Sequence, residues 1–517
     1  MSGSLAIADY SVIFAFFAVM IAVGVFFARS ANSADKFFGA DKSVPWWLSG
    51  ISFYMNSFSA LAFVMYSALA YKHGWVPVTI SWLSVPAVLF GVWLLALKWR
   101  RSASGSPIAF VAERFGGKMN QALMWLGLPM QVLDSAFKLL AIGTVVGVMV
   151  KSVLPPEMPL DTVLGWSIGL SGVVIIFYTF LGGLKATLVC DFLQFLVICV
   201  VVAVLPILCL AKLAAIDGGA GLPHGFTVFL ERIPEGFLEF TSGMYDWHYM
   251  LFYFLLMFLQ LGTTWSLIQR YSSTRSEREA RKMGYLVSVL LFVGPPLFFF
   301  PAMAARVFIP DLDTANPDTM NGVYALTCLA VLPTGMLGLV IAAMFSATMS
   351  TLAGNYNAIA NVLTGDFYVR LLDPKASPER RMAVARMATV FTGFLVIGFT
   401  FLMRCVQGAS DLFDVTNQVL SVFTPPIGIS MIAGVLSRRL TRRGGFAGLL
   451  LGIGSGFAAF VLGLWFPVLR ESVPMFWITS AATVLGLAAF SRFMADRPEE
   501  KVSVDGFFKK LETPEAV

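Results

Sequence analysis

Charged side chains are scarce in this chain: they make up 13 % of its 517 residues, against 58 % that are hydrophobic. A water-soluble domain usually carries about twice that charged fraction, so a soluble enzyme is excluded before any motif is read. Histidine is nearly missing, with 3 residues, and the 5 cysteines form no CxxC pair. Cys190, Cys199, Cys209, Cys328 and Cys405 all fall in apolar stretches. There they read as buried small hydrophobes, not as disulfides or metal ligands. The N-terminus lacks a basic run and a small-residue cleavage site, so no removable signal peptide is expected. The net charge is +6, but the basic residues lie in short loops between apolar segments. That pattern speaks of membrane topology and not of nucleic-acid binding.

The chain has long hydrophobic runs instead. Thirteen apolar segments can be counted, at about 7–28, 46–70, 76–97, 119–150, 162–182, 186–211, 247–268, 283–308, 334–363, 383–403, 413–437, 445–467 and 474–491. Each is near the roughly 20 residues that span a bilayer as a helix, and none alternates as a barrel strand does. The chain therefore reads as an all-α polytopic membrane protein with about 13 transmembrane helices. Of the 36 Lys and Arg residues, 28 fall in alternate loops that end up on one side, 7 on the other, and Lys138 stands alone inside a span. The positive-inside rule then puts the N-terminus outside and the C-terminus in the cytoplasm of a cell-membrane protein. This requires an odd number of spans. The 212–246 loop, containing GGAGLPHG, reads as a partly helical external cap, and the polar tail 494–517 as mobile. Residues 1–493 form a single membrane domain.

Function in such a protein sits where polar groups enter the bilayer. In the second segment, Asn56-Ser57-Phe58-Ser59 is a polar patch suited to local unwinding, with freed carbonyls that ligate a cation. A plain helix-packing face is the alternative. In the ninth, Ser346, Thr348, Ser350 and Thr351 cluster near the middle, and adjacent hydroxyls with backbone carbonyls make a neutral oxygen site for a hard monovalent cation. Hydroxyls satisfied by their own helix are the alternative. Asp191, inside the sixth segment, serves an ion path or pairs with Lys185 or a loop Arg. Asp134 and Lys138 share a helix face at i, i+4 spacing and neutralise each other, or Lys138 takes a substrate carboxylate. Pro425-Pro426 is expected to break the eleventh segment after Thr416, Asn417 and Gln418, which are candidate solute contacts. Gly444, Gly448, Gly452 and Gly456 read as a packing face.

The stretches FFGADKSVPWWLSGISFYMNSFSALAF, YTFLGGLKATLVCDFLQ and GLVIAAMFSATMSTLAGNYNAIANVLTGDFY together resemble the sodium:solute symporter family, and WSLIQRYSSTRSEREARK resembles its Gln-Arg motif and basic loop. The resemblance implies a leucine-transporter-type 5+5 inverted repeat, with 46–211 and 247–437 as the halves and the second and seventh helices discontinuous. It implies a Na+ site on the carbonyls of Met55, Phe58 and Ala347 and the hydroxyls of Ser350 and Thr351. It puts one sodium in the cycle, because Ala353 and Gly354 lack the side-chain oxygens of a second site. Asp191 is left for gating. The sugar-binding positions of relatives fall on Ala62, Ser81 and the apolar surroundings of Leu290. The solute pocket is expected from Tyr54, Ser59, Ala62, Trp82, Lys138, Trp265, Thr416, Asn417 and Gln418. The expected activity is sodium-coupled uptake of a small organic solute, a sugar or an organic acid, with Na+ co-transported. No nucleic acid and no obligatory protein partner are expected, only solute and membrane lipid. Proton coupling through Asp191 and a non-transporting sensor are the competing readings. A membrane enzyme is not expected, because no nucleophile–base pair lies in the spans.

Overall fold

Apolar segments of this length satisfy their backbone groups internally by coiling. The computed structural model describes residues 7–28, 34–39, 42–57, 62–102, 105–151, 154–155, 157–333, 335–407 and 412–513. Every regular element among them is helical. Helix α1 is Ile7–Ala28. The second segment holds α2 (Trp46–Ser57), a π-turn (Ala62–Tyr66) and α3 (Ser67–His73). Helices α4 (Val76–Trp82) and α5 (Ser84–Leu94) form the third. Short α6 (Ala96–Ser102) and α7 (Ala109–Phe115) lead into α8 (Gly117–Lys151). Helix α9 (Leu160–Ile216) covers two expected spans, and α10 (Leu222–Arg232) lies in the long loop after it. Next come α11 (Trp247–Thr263), α12 (Trp265–Ser273), α13 (Glu277–Phe308) and α14 (Val323–Val331). The series ends with α15 (Leu337–Val362), α16 (Pro378–Gln407), α17 (Leu412–Leu436), α18 (Arg442–Leu462), α19 (Ser472–Phe493) and α20 (Pro498–Glu512).

Eleven helices among the described residues are long and apolar enough to cross a membrane, and the bent pair α11–α12 makes up to twelve. Of the expected thirteen, the second segment (46–70) is the one not counted; residues 58–61 within it lie outside the described residues. Large apolar side chains such as Trp93, Phe391 and Phe394 face outward, as on lipid-facing helices.

Two breaks are local chemistry. Gly183 in α9 adopts φ +58, which favours glycine, and a Cβ there would come within 2.7 Å of the Phe37 ring. It marks the boundary between the expected spans 162–182 and 186–211. The second break is at Thr264, whose extended backbone (φ −60, ψ 129) turns α12 by 54° from α11.

Several expectations are corrected. Helix α17 runs through Pro425 and Pro426 without ending. The Ser421 carbonyl, denied the amide of Pro425, accepts a 2.9 Å bond from Thr479 Oγ1 on α19. The tail is not loose. Helix α20 buries Val504, Phe507, Phe508 and Leu511 against α6 and α7, and Lys510 pairs with Glu113 at 3.1 Å. Cys190, Cys209 and Cys328 are buried as expected, but Cys199 and Cys405 are exposed on the apolar outside. The glycine stripe of α18 does pack on α19: a Cβ at Gly448 would come within 2.7 Å of the Leu487 backbone nitrogen.

Candidate functional site

Helix α15 is buried along almost its whole length, so each hydroxyl on it must find a partner inside the protein. Ser346 donates to Ala342 O at 2.7 Å and Thr348 to Met344 O at 3.1 Å. Both are consumed by their own helix. Ser350 and Thr351 behave differently. Thr351 Oγ1 lies 3.0 Å from Ala347 O and 3.2 Å from Met55 O, where α2 ends. The fully buried Ser350 Oγ bonds no carbonyl of its own helix, and the Asp191 carboxylate is its polar neighbour. One hydroxyl and two carbonyls thus meet where α2 packs on α15, with Ser350 as the neighbouring residue. Asn56 Nδ2 secures that junction by donating to Ser350 O at 3.2 Å. Phe58 and Ser59 lie outside the described residues.

Asp191 is fully buried on α9. Its charge partner is not Lys185 but an arginine of the stretch expected as the basic loop after the seventh segment. It is Arg270 of α12, 3.8 Å away and equally buried. Ser52 lies between them, donating to the Asp191 carboxylate and accepting from Arg270 Nε at 3.2 Å. Arg270 also donates to Ser266 O at 2.9 Å. A buried pair of this kind is retained only with such extra hydrogen bonds. The sequence places Arg270 in a basic run, and only the fold turns it inward.

Beside this cluster lies a cavity of about 150 Å³. Tyr54, Lys138, Thr416 and Asn417 line it, as expected. Lys138 Nζ is 2.5 Å from Asp134 Oδ2, so the i, i+4 pair forms, and both members face the cavity. Three expected residues do not line it. Trp82 donates to Phe292 O at 2.8 Å and stacks on the Phe292 ring. Trp265 is 2 % exposed and packs against Gly127. Gln418 is half-buried on α17, outside the lining. Ala62 opens the π-turn.

The wall also has members outside the expected solute contacts, Ser81 among them as a position matched to a sugar-binding residue of relatives. Tyr66 ends the π-turn, shares a 2.5 Å hydroxyl–hydroxyl bond with Tyr253, and stacks on Phe299. Ser81 and Ser84 lie at the α4–α5 junction, and Gln260, Ser266 and Asn355 add amides and a hydroxyl. Gln260 and Asn355 were findable as polar side chains within apolar segments. The tyrosines were not, because Tyr is ordinary in such segments.

The sodium:solute symporter family model matches residues 37–452. The sodium/sialic acid symporter NanT of Aliivibrio fischeri is 25 % identical over 461 residues, covering 86 % of each chain. The human sodium/glucose cotransporter 4 is 25 % identical over 503 residues, covering 89 % of this chain and 70 % of the relative. Among solved structures, a Na+-coupled sialic acid symporter in a substrate-bound outward-open state superposes with a TM-score of 0.80 at 20 % identity, covering 95 % of this chain and 98 % of the other. The transporter Mhp1 of the nucleobase-cation-symport-1 family superposes at 0.56, with 15 % identity and 92 % of this chain covered. The fold is thus of the leucine-transporter type, and the chain, matched over most of its length by that family model, belongs to the sodium:solute symporter family.

Proposed function

We propose that this integral multi-pass membrane protein, a sodium-coupled symporter of a small solute, binds Na+ at the α2–α15 junction and imports an organic acid or acidic sugar. One observation carries the ion site: Thr351 Oγ1 within hydrogen-bond reach of both Met55 O and Ala347 O, next along the helix to the buried Ser350 hydroxyl. Neutral hard oxygens suit an alkali cation. Phe58 O completes the set in this reading, and Asp191 lies on the ion path. Sodium bound here fixes the end of α2 against α15 and stabilises the state that accepts solute, so each ligand favours the other's conformation. The N-terminus is outside, the C-terminus cytoplasmic, and 46–211 and 247–437 are the two inverted repeats. One Na+ moving alone through about 100 mV releases about 2.3 kcal/mol; carried with a monovalent carboxylate the pair is electroneutral, and uptake then draws on the Na+ concentration gradient.

The acid preference rests on Lys138, a cation facing the cavity, with the Tyr66, Tyr253 and Phe299 rings offering a flat wall. The names of the sialic acid relatives agree with it. Thermal stability of the purified protein in Na+ against K+ and choline tests the ion site. The melting temperature is expected to rise only in Na+, and not at all in Ser350→Ala/Thr351→Ala. A rise that survives the double substitution refutes the site. Solutes are then screened in Na+, beginning with N-acetylneuraminate and D-glucose.

A further inference from the structure

Asn355 touches more of the machinery than any reading of the sequence indicated. It sits on α15, one helical turn after Thr351. Its Nδ2 donates to Asp134 Oδ2 and to Ser135 Oγ on α8, each at 3.1 Å. Its Oδ1 accepts from Ser266 Oγ on α12 at 3.1 Å. The same Asp134 oxygen holds Lys138 Nζ. The Ser266 carbonyl holds Arg270, which reaches Ser52 and Asp191. The preceding residue on α15 leaves no slack, since a Cβ at Gly354 would come within 2.9 Å of Arg270 Nη2. One amide therefore joins the helix bearing the hydroxyl pair, the second half of the broken seventh span, and the charge pair in the cavity. Asn355 is 2 % exposed, so no water competes for these bonds across most of its surface.

We infer that Asn355 is a positioning residue that carries sodium occupancy at Ser350 and Thr351 to Lys138, by setting where α15 holds Asp134. The inference rests on the sodium site proposed above. Helix α15 is continuous, so a shift of its hydroxyl pair toward a bound cation moves Asn355 with it. An amide bonded on both sides then drags Asp134 and Ser266 together. A leucine of the same shape keeps the packing and loses all three bonds. A purely structural role would lower stability and leave the sodium response of the cavity intact.

The probe is Na+ itself. Ser84, at the cavity wall, is replaced by cysteine (S84C), and the introduced thiol is titrated with a charged methanethiosulfonate in Na+ and in choline, against a background measured without S84C. Na+ is expected to raise the modification rate by about fivefold or more, the lower end of ordinary coupling between sites. In Asn355→Leu on the same background, that ratio is expected to fall close to one, while the melting-temperature response to Na+ keeps its midpoint within about threefold. Ser266→Ala, which removes only the Oδ1 partner, is expected to lose part of the ratio, and it decides alone if the leucine variant does not fold. An unchanged ratio in the variants overturns the inference, as does a ratio lost together with sodium binding. A parent protein that melts later in Na+ but shows no change in modification also overturns it, and leaves the sodium site standing. A parent with neither response refutes the sodium site itself, and the inference with it.

Discussion

Replacing Arg270 by glutamine strips the charge partner from Asp191 while keeping a hydrogen-bonding amide near Ser266 and Ser52. Both members of the pair are fully buried, 3.8 Å apart. At an effective dielectric constant near 20, two unit charges at that separation attract by about 4 kcal/mol. Removing one partner of a buried pair typically costs about 3–5 kcal/mol, because the other charge is stranded. Arg270→Gln is therefore expected to be the most damaging single change in the cluster, and Asp191→Asn also harmful, since it strands the arginine. The double variant Asp191→Asn/Arg270→Gln contains no stranded charge. It is expected to be more stable than Arg270→Gln alone, with a coupling of about 1–3 kcal/mol across the cycle. Arg270 also holds Ser266 O, so the single values mix several contacts, and the coupling is the diagnostic quantity. Thermal denaturation of the four proteins in one detergent, at one Na+ concentration, reads it. If the double variant melts at the sum of the two single shifts, the groups do not interact in the folded protein and the reasoning is refuted.

Two further outcomes follow from packing. Gly452→Leu drives a side chain into Thr483 and Pro426, whereas Gly454, on the same helix, faces open space. The first is expected to lower the melting temperature by several degrees and the second to leave it within a degree or so; equal effects refute the α18–α19 packing. Helix α20 ties Arg101 through a 2.7 Å bond to Leu511 O and Arg438 through a 2.6 Å pair to Glu512. Deleting residues 498–517 is expected to increase protease cleavage near Arg101 and Glu113, followed by mass spectrometry, and an unchanged cleavage map refutes the docking.

Much was legible in the residue order because lipid imposes simple rules. A segment of apolar residues long enough to span has to be a helix, and its Lys and Arg flanks point to an orientation. The hydroxyl pair Ser350-Thr351 stood out for the same reason, since polar groups in the bilayer are exceptions. So did Asp191 and the Asp134–Lys138 pair. Local periodicity could also place Gly444 to Gly456 on one face.

Other features depend on contacts between residues far apart in the chain, and no local pattern encodes them. Arg270 reads as one more basic residue of a loop until α12 bends at Thr264 and buries it against Asp191, 79 positions away. Of the four Ser and Thr hydroxyls on α15, only the neighbourhood of α2 separates Thr351, which reaches Met55 O as well as its own helix, from Ser346 and Thr348, which bond their own helix alone. Pro425-Pro426 looked like a helix end because proline removes a backbone donor, but a threonine from another helix supplies the missing bond. Composition and hydropathy along the chain settle what must be helical and what must face lipid, since both are properties of a residue and its near neighbours. Which buried polar atoms meet is a property of packing, and it emerged only when the helices were brought together.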